Sequence, residues 1–219
     1  MTLTRRSLLT LTTSYAALAA TGVWAETTAT DPATTPAVAT APIKDFVLGS
    51  PDAKVKIVEY LSFTCPHCAR FHVDVLPKLR AEYIDKGLVS IEYHEVYFDQ
   101  MGLIGAMLAR CGGEMRYFGL TDMLYDKQTD WAGAADINAA VAELKKFARA
   151  AGMDDTGVDA CLQDQKSAEA LVAHYQANIA KDYPGDSFGG TPSFIINGAQ
   201  HSNMSFEEMK VIIDAQLAK

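Results

Sequence analysis

The chain has 219 residues, 49% of them hydrophobic, with 19 basic and 27 acidic side chains and a net charge of −8. That size and apolar fraction suit one domain, or a small domain carrying a large insertion. No basic patch is rich enough for nucleic acid or an anionic membrane, and beyond the N-terminus no apolar run approaches the ~18 residues a membrane span needs.

Residues 1–25 have the make-up of an export signal. Arg5-Arg6 precede an uncharged stretch from Ser7 to Ala20, and Val23-Trp24-Ala25 offers small residues for cleavage. Thr4-Arg5-Arg6-Ser7-Leu8-Leu9 resembles a twin-arginine signal, with Leu8 where Phe is usual; an ordinary secretory signal with two arginines is the alternative. Either route leads to the periplasm, an oxidising compartment. Cleavage before Glu26 removes two bases and no acid, which takes the balance from −8 to −10. Residues 26–44 read as a flexible linker: between Thr27 and Pro42 the only charged residue is Asp31 among Thr, Ala and Pro.

Residues 45–49 form a short predicted strand closed by the turn signal Gly49-Ser50-Pro51-Asp52. Residues 54–63 are β-branched and aromatic, with an apolar second half that suits a central buried strand. Phe71, Val75, Leu76, Leu79 and Tyr83 then recur at helical spacing until Gly87, and a strand returns over 89–98. A helix between two strands places them in parallel. Helical patterns follow near 101–110, 114–126, 134–151, 158–165 and 168–181, with no convincing strand among them. Residues 193–196 are a strand ended by the hairpin signal Asn197-Gly198, and 200–203 are its partner. Ser205 and Glu208 form a capping box at the start of the last helix. The order predicts an α/β protein with a thioredoxin-like fold and an inserted all-helical subdomain. Its parts are 45–100, the insertion 101–183, and 184–219.

Cys65-Pro66-His67-Cys68 sits where the buried strand meets the helix. Two cysteines at that spacing can close a disulfide across the first helical turn. The first sulfur then faces unpaired N–H groups and the positive end of the helix dipole, which favour thiolate. Pro66 suits the first helical position, where its missing N–H costs nothing. His67 can add a donor or a positive charge beside the sulfur. Thr191-Pro192, directly before a strand, belongs at a strand start because Pro cannot donate to the ladder. In a thioredoxin-like sheet that place abuts the cysteine helix, the peptide bond is cis, and the Thr191 backbone can pair with an extended substrate. Cys111 and Cys161 are left as a second disulfide by elimination; two separate buried thiols are the alternative. No cofactor beyond the redox-active Cys65–Cys68 disulfide is expected, and no metal, since one Cys-x-x-Cys does not supply four zinc ligands. His72, His94, His174 and His201 are scattered and read as surface or core residues.

The stretch from Val58 through Glu59, Tyr60 and Phe63 to Cys68, the helical insertion and Gly190-Thr191-Pro192 resemble a periplasmic thiol:disulfide interchange protein of the DsbA-like family, from about Asp45 to the C-terminus. The resemblance implies that Cys65 is the nucleophile and Cys68 the resolving thiol. It implies an oxidase acting on reduced exported proteins and reoxidised by a membrane quinone-linked protein, as a monomer without nucleic acid. It further implies that Glu59 is a buried acid that shuttles the Cys68 proton. Relatives often balance that acid with a base on the neighbouring strand, where 89–93 offers only Glu92. Thr191 resembles the isomerase branch, so an isomerase or reductase is a second reading. A copper module using Cys65, Cys68 and a nearby His or Met, Met204 among them, is a third.

Overall fold

The strand Val55–Leu61 (β2) runs through the middle of the sheet because its odd-numbered side chains, Val55, Ile57, Glu59 and Leu61, are all buried. Val89–Glu95 (β3) pairs with it in parallel, and Ser193–Ile196 (β4) pairs antiparallel on its other side. Phe46–Gly49 (β1) and Ala199–Ser202 (β5) close the edges, giving the order β1-β3-β2-β4-β5. The computed structural model describes residues 42–219. The export signal at 1–25 and nearly all of the linker at 26–44 lie outside the described residues.

Side-chain alternation gives the sheet two unlike faces. On one, Ile57, Ile91, Tyr93, Phe194 and Ile196 pack with Phe71 and Leu79 of the helix after the cysteines, Met209 and Ile213 of the helix Phe206–Leu217, and Tyr117 and Leu124 of the insertion. That single core spans the insertion and the thioredoxin-like part together. On the other face, Tyr60, Val96 and Tyr183 form a smaller cluster with Val58, Ile195, Tyr175 and Ile179. The helix Gln165–Asp182 supplies part of that cover.

The active-site helix runs in four consecutive segments: Pro66–Arg70, Phe71–Val75, Leu76–Leu79 and Arg80–Ile84. The second and fourth are π-turns. Pro77 lacks an N–H and crowds the preceding turn, and the helix widens just ahead of it, with Leu76 N–H bonded to the Phe71 carbonyl. Adjacent Phe71 and His72 are both buried there. The run ends at Gly87, which adopts φ 71°.

Several predicted boundaries move. The strand expected over 54–63 stops at Leu61, because the Cys65 N–H turns back to the Ser62 carbonyl at 3.0 Å. The one expected over 89–98 stops at Glu95, once its neighbour has ended. β5 covers Ala199–Ser202 rather than 200–203. A short helix at Gln128–Trp131 was not expected. Four aspartates set the starts in the insertion: Asp99, Asp136, Asp154 and Asp164 accept from Gly102, Ala139, Gly157 and Ser167 N–H at 2.7, 2.9, 2.9 and 3.1 Å. The helices Ile137–Ala150, Asp155–Leu162 and Gln165–Asp182 therefore begin at those caps and not where the apolar periodicity begins. Cys111 and Cys161 are bonded, Cα atoms 6.1 Å apart, and tie the helix Gln100–Cys111 to the helix Asp155–Leu162.

Candidate active site

Cys65 is the N-cap of the active-site helix, with extended backbone (φ −78°, ψ 119°), and Pro66 occupies the first turn. The insertion holds this junction from outside. The Gln128 side-chain amide donates to the carbonyls of Phe63 and Cys65 at 2.8 and 2.9 Å. Thr64 Oγ1 donates to Asp99 at 2.7 Å, and the Tyr125 hydroxyl donates to the Ser62 carbonyl at 3.2 Å. Neither Gln128 nor Tyr125 stands out in the sequence, because each acts across more than sixty residues of chain on backbone atoms.

The two sulfurs, both free thiols here, sit in opposite surroundings. Cys65 is half-buried and Cys68 fully buried. The Cys65 thiol is lowered to about 5, chiefly by the hydrogen bond that Cys68 gives its sulfur. Burial opposes this, while the Thr191 side chain and the N–H groups of Cys68 and His67 add to it. Cys68 is raised, by burial first, then by serving Cys65 as donor, then by the nearby Glu59 charge. As a thiol, Cys65 donates to the Thr191 carbonyl at 3.2 Å. The buried Thr191 hydroxyl has no partner in that state, so its proton is available to the thiolate.

Glu59 is fully buried on β2, on the face toward the active-site helix. The sequence pointed to β3 for its base and found only Glu92, but Glu92 lies opposite Val58 and so faces the other way. The base is His72, from the π-turn of the active-site helix: its Nε2 lies 3.0 Å from Glu59 Oε1, and both side chains are buried. His72 is thus a core residue with a partner, one of the two roles expected of it, and its helical phase, one turn past Cys68, is the signal that could have found the pair. Tyr125 stacks on its ring at 4.2 Å. Glu59 Oε2 and His72 Nδ1 have no partner. His72 also lines a cleft of about 290 Å³ with Arg80, Asp122 and Asp126.

His67 is exposed, and Arg70 one turn on places Nη2 2.6 Å from its Nδ1. The Thr191–Pro192 peptide is cis. Both residues line a groove of about 580 Å³ with His67, Gly190, Gln200 and His201. Met204 packs against the apolar core. The arrangement brings together one half-buried sulfur that ionises easily, one sealed sulfur that holds its proton, a buried Glu59–His72 pair and a groove lined by His67, Thr191 and Pro192. Those parts suffice for two-electron exchange between this dithiol and a disulfide.

Residues 42–215 match the family model described as Thioredoxin. A Rickettsia bellii protein named provisionally as a protein-disulfide oxidoreductase is 33% identical over 171 residues, which cover 78% of this chain and 63% of that protein. The chain therefore spans less than two thirds of that relative's length. A Bacillus cereus protein named provisionally as disulfide bond formation protein D is 30% identical over 187 residues, 78% of each chain. The crystal structure of alpha-DsbA1 from Wolbachia pipientis superposes with a TM-score of 0.71 at 26% identity, covering 81% of this chain and 93% of that one.

Proposed function

The chain belongs to the thioredoxin family, among its DsbA-like proteins, and from that premise we propose that it is a thiol:disulfide oxidoreductase that oxidises exported proteins. The observation that carries the reading is the opposed proton affinity of Cys65 and Cys68 across one helical turn. In the oxidised form a substrate thiolate attacks Cys65 Sγ. The Cys65–Cys68 bond breaks, and Cys68 leaves with the electron pair and takes a proton. A second substrate thiolate then attacks the substrate sulfur of the mixed disulfide and releases Cys65 as thiolate. The substrate gains a disulfide, and two electrons rest on the cysteine pair. An easily held Cys65 thiolate is a good leaving group and favours the reduced protein, so the oxidised protein is the stronger oxidant.

The other residues serve those two departures. We assign Glu59, whose charge acts on Cys68, the role of giving Cys68 its proton, with His72 holding that carboxyl and lining the cleft beside Arg80. Pro66 starts the helix, and His67 with Arg70 keeps positive character beside Cys65. Thr191 and Pro192 form the edge on which an extended substrate lies, within the groove. No cofactor beyond the Cys65–Cys68 disulfide enters this chemistry. The Cys111–Cys161 disulfide takes no part in it and staples the insertion. The setting we propose is the periplasm, with the chain acting as a monomer and a membrane quinone-linked protein removing the electrons.

The test runs oxidative refolding of a reduced substrate, rescue of a scrambled substrate and insulin reduction side by side. Fast oxidation without rescue supports the oxidase; efficient rescue moves the chain to the isomerase reading that Thr191 favours. Replacing Pro66-His67 by Gly-Pro shifts the equilibrium with glutathione toward a more reducing protein, and an unchanged equilibrium overturns the assignment.

A further inference from the structure

Arg70 stands one turn after His67 on the active-site helix, at the i, i+3 spacing that brings side chains together. Its Nη2 lies 2.6 Å from His67 Nδ1, and both residues are exposed. A guanidinium has N–H donors and no lone pair, so in this contact Nδ1 must accept. The His67 ring is therefore neutral here and carries its one proton on Nε2. Asp74, one turn further along the helix, is the competing partner for Arg70, yet the two form no salt bridge among the described residues. The His67 ring lines the groove shared with Thr191, Pro192 and His201, whereas Arg70 is not among that groove's walls. With Nδ1 turned to Arg70, Nε2 is the ring nitrogen left to serve the groove.

We propose that Arg70 is a positioning residue for thiol exchange: it fixes His67 as the Nε2–H tautomer, a constant donor to the backbone carbonyls of the substrate segment in the groove. The inference rests on the oxidoreductase reading and adds how the groove meets its substrate. A neutral imidazole can carry its single proton on either nitrogen, and with the proton on Nδ1 the ring would offer the groove an acceptor instead. An extended segment brings its own carbonyl acceptors, which give up donors from water as they dock. A fixed N–H meets that need, and a second acceptor does not. The Arg70–His67 bond is charge-assisted, roughly twice as strong as one between neutral groups. Protonation of Nδ1 would remove the acceptor, so the contact and the Nε2–H form stand or fall together. Because Arg70 lies outside the groove's walls, its effect on a bound segment passes through the ring.

The test reads the two ring nitrogens of His67 by long-range proton–nitrogen NMR in the oxidised protein at about pH 8, where a free imidazole is uncharged. The proposal expects a bare Nδ1 and a protonated Nε2 in the wild type and in Arg70→Lys, which keeps a donor. Arg70→Met gives a mixture of tautomers. His201 lines the same groove and is the control whose pattern does not change. In single-turnover oxidation of a reduced peptide, Arg70→Met slows exchange by about two- to tenfold, the worth of one hydrogen bond. Arg70→Lys restores most of that rate, and in a His67→Phe background Arg70→Met costs little more. A wild-type ring with its proton on Nδ1, an unchanged ring in Arg70→Met, or an equal loss of rate with and without the His67 ring overturns the assignment. The tautomer is read without substrate, so a failure of the oxidoreductase reading shows separately, as no oxidation by the wild type in the refolding assay.

Discussion

The molecule holds two cysteine pairs in contrasting settings. Cys65 and Cys68 are three residues apart, one half-exposed at a helix N-terminus among donors and one sealed beside a carboxylate. Cys111 and Cys161 are 50 residues apart and lie on two helices of the insertion, next to an apolar pocket that includes Phe46, Met107 and Leu171. Their sulfurs are bonded to each other, and neither is the N-cap of a helix. The same element in the same chain is therefore reactive or inert according to what surrounds each sulfur. Spacing adds to the difference: a bond across one turn removes little freedom from the unfolded chain, while one across a long loop removes much.

The largest expected effect separates the pairs outright. Cys65→Ser abolishes oxidation of a reduced substrate, whereas Cys68→Ser, given a substrate disulfide, attacks it through Cys65, releases one substrate thiolate and halts at a mixed disulfide that a gel without reductant resolves. Turnover by Cys65→Ser at a measurable rate would give the chemistry to the other pair. The Cys111→Ala/Cys161→Ala variant answers in the opposite currency. It loses on the order of 4 kcal/mol of stability by the chain-entropy relation, read from urea unfolding, while its exchange rate stays within about twofold. A large fall in rate at unchanged stability would break the contrast.

Stability against pH tests the same contrast by its sign. Cys65 is depressed from 9.0 to about 5, so its thiolate stabilises the reduced fold above that lower value and the benefit is lost as pH falls through about 5. The Tm of the reduced protein minus that of the oxidised protein should widen from pH 4 to pH 8. The Cys111–Cys161 disulfide is present in both forms and cancels. A flat difference would mean that Cys65 is an ordinary thiol.

Next in size is the buried acid–base pair. Glu59→Gln keeps shape but cannot deliver a proton, and should slow release of Cys68 by roughly 10- to 100-fold in single-turnover exchange, with a flattened pH profile. His72→Phe leaves a buried carboxylate without its partner, so it should lower stability and slow exchange together. If both variants lose stability yet exchange at the wild-type rate, the pair is only structural.

How much of this was legible depends on the range over which each residue acts. β4 over Ser193–Ile196, the helix Glu114–Asp126 and the Ser205–Glu208 capping box follow from neighbours in sequence, and the structure has them at those residues. The Asp caps are just as local, yet apolar periodicity pointed elsewhere: the helix expected from 158 starts at the Asp154 cap. The oxidoreductase motif was legible because its two sulfurs lie within one turn. The partner of Glu59 was not, since finding it needs to know which face Glu92 takes and how Pro77 widens the helix that carries His72. The convergence of Asp45, His94 and His174 depends on a register between distant strands and on the seating of a helix, neither of which composition reveals.

The smallest effect concerns Thr191, and it isolates one donor. Its carbonyl receives the Cys65 thiol proton at 3.2 Å while its own buried hydroxyl stays unpartnered. Ionisation reverses the demand at the sulfur, which then accepts, and the Thr191 hydroxyl lowers the Cys65 thiol together with the Cys68 thiol and two backbone N–H groups. Thr191→Val keeps the branched shape and the carbonyl but removes that donor. One hydrogen bond among several to a partly exposed charge is worth about one pH unit or less. The Cys65 titration, followed by thiolate absorbance, should therefore move upward from about 5 by no more than that, and the variant should be a slightly weaker oxidant. Its groove loses only a hydroxyl, so binding of an extended peptide should hardly change. A midpoint that stays put would show that the backbone amides and Cys68 hold the thiolate unaided, and the reactive pair would then owe its character to the helix alone.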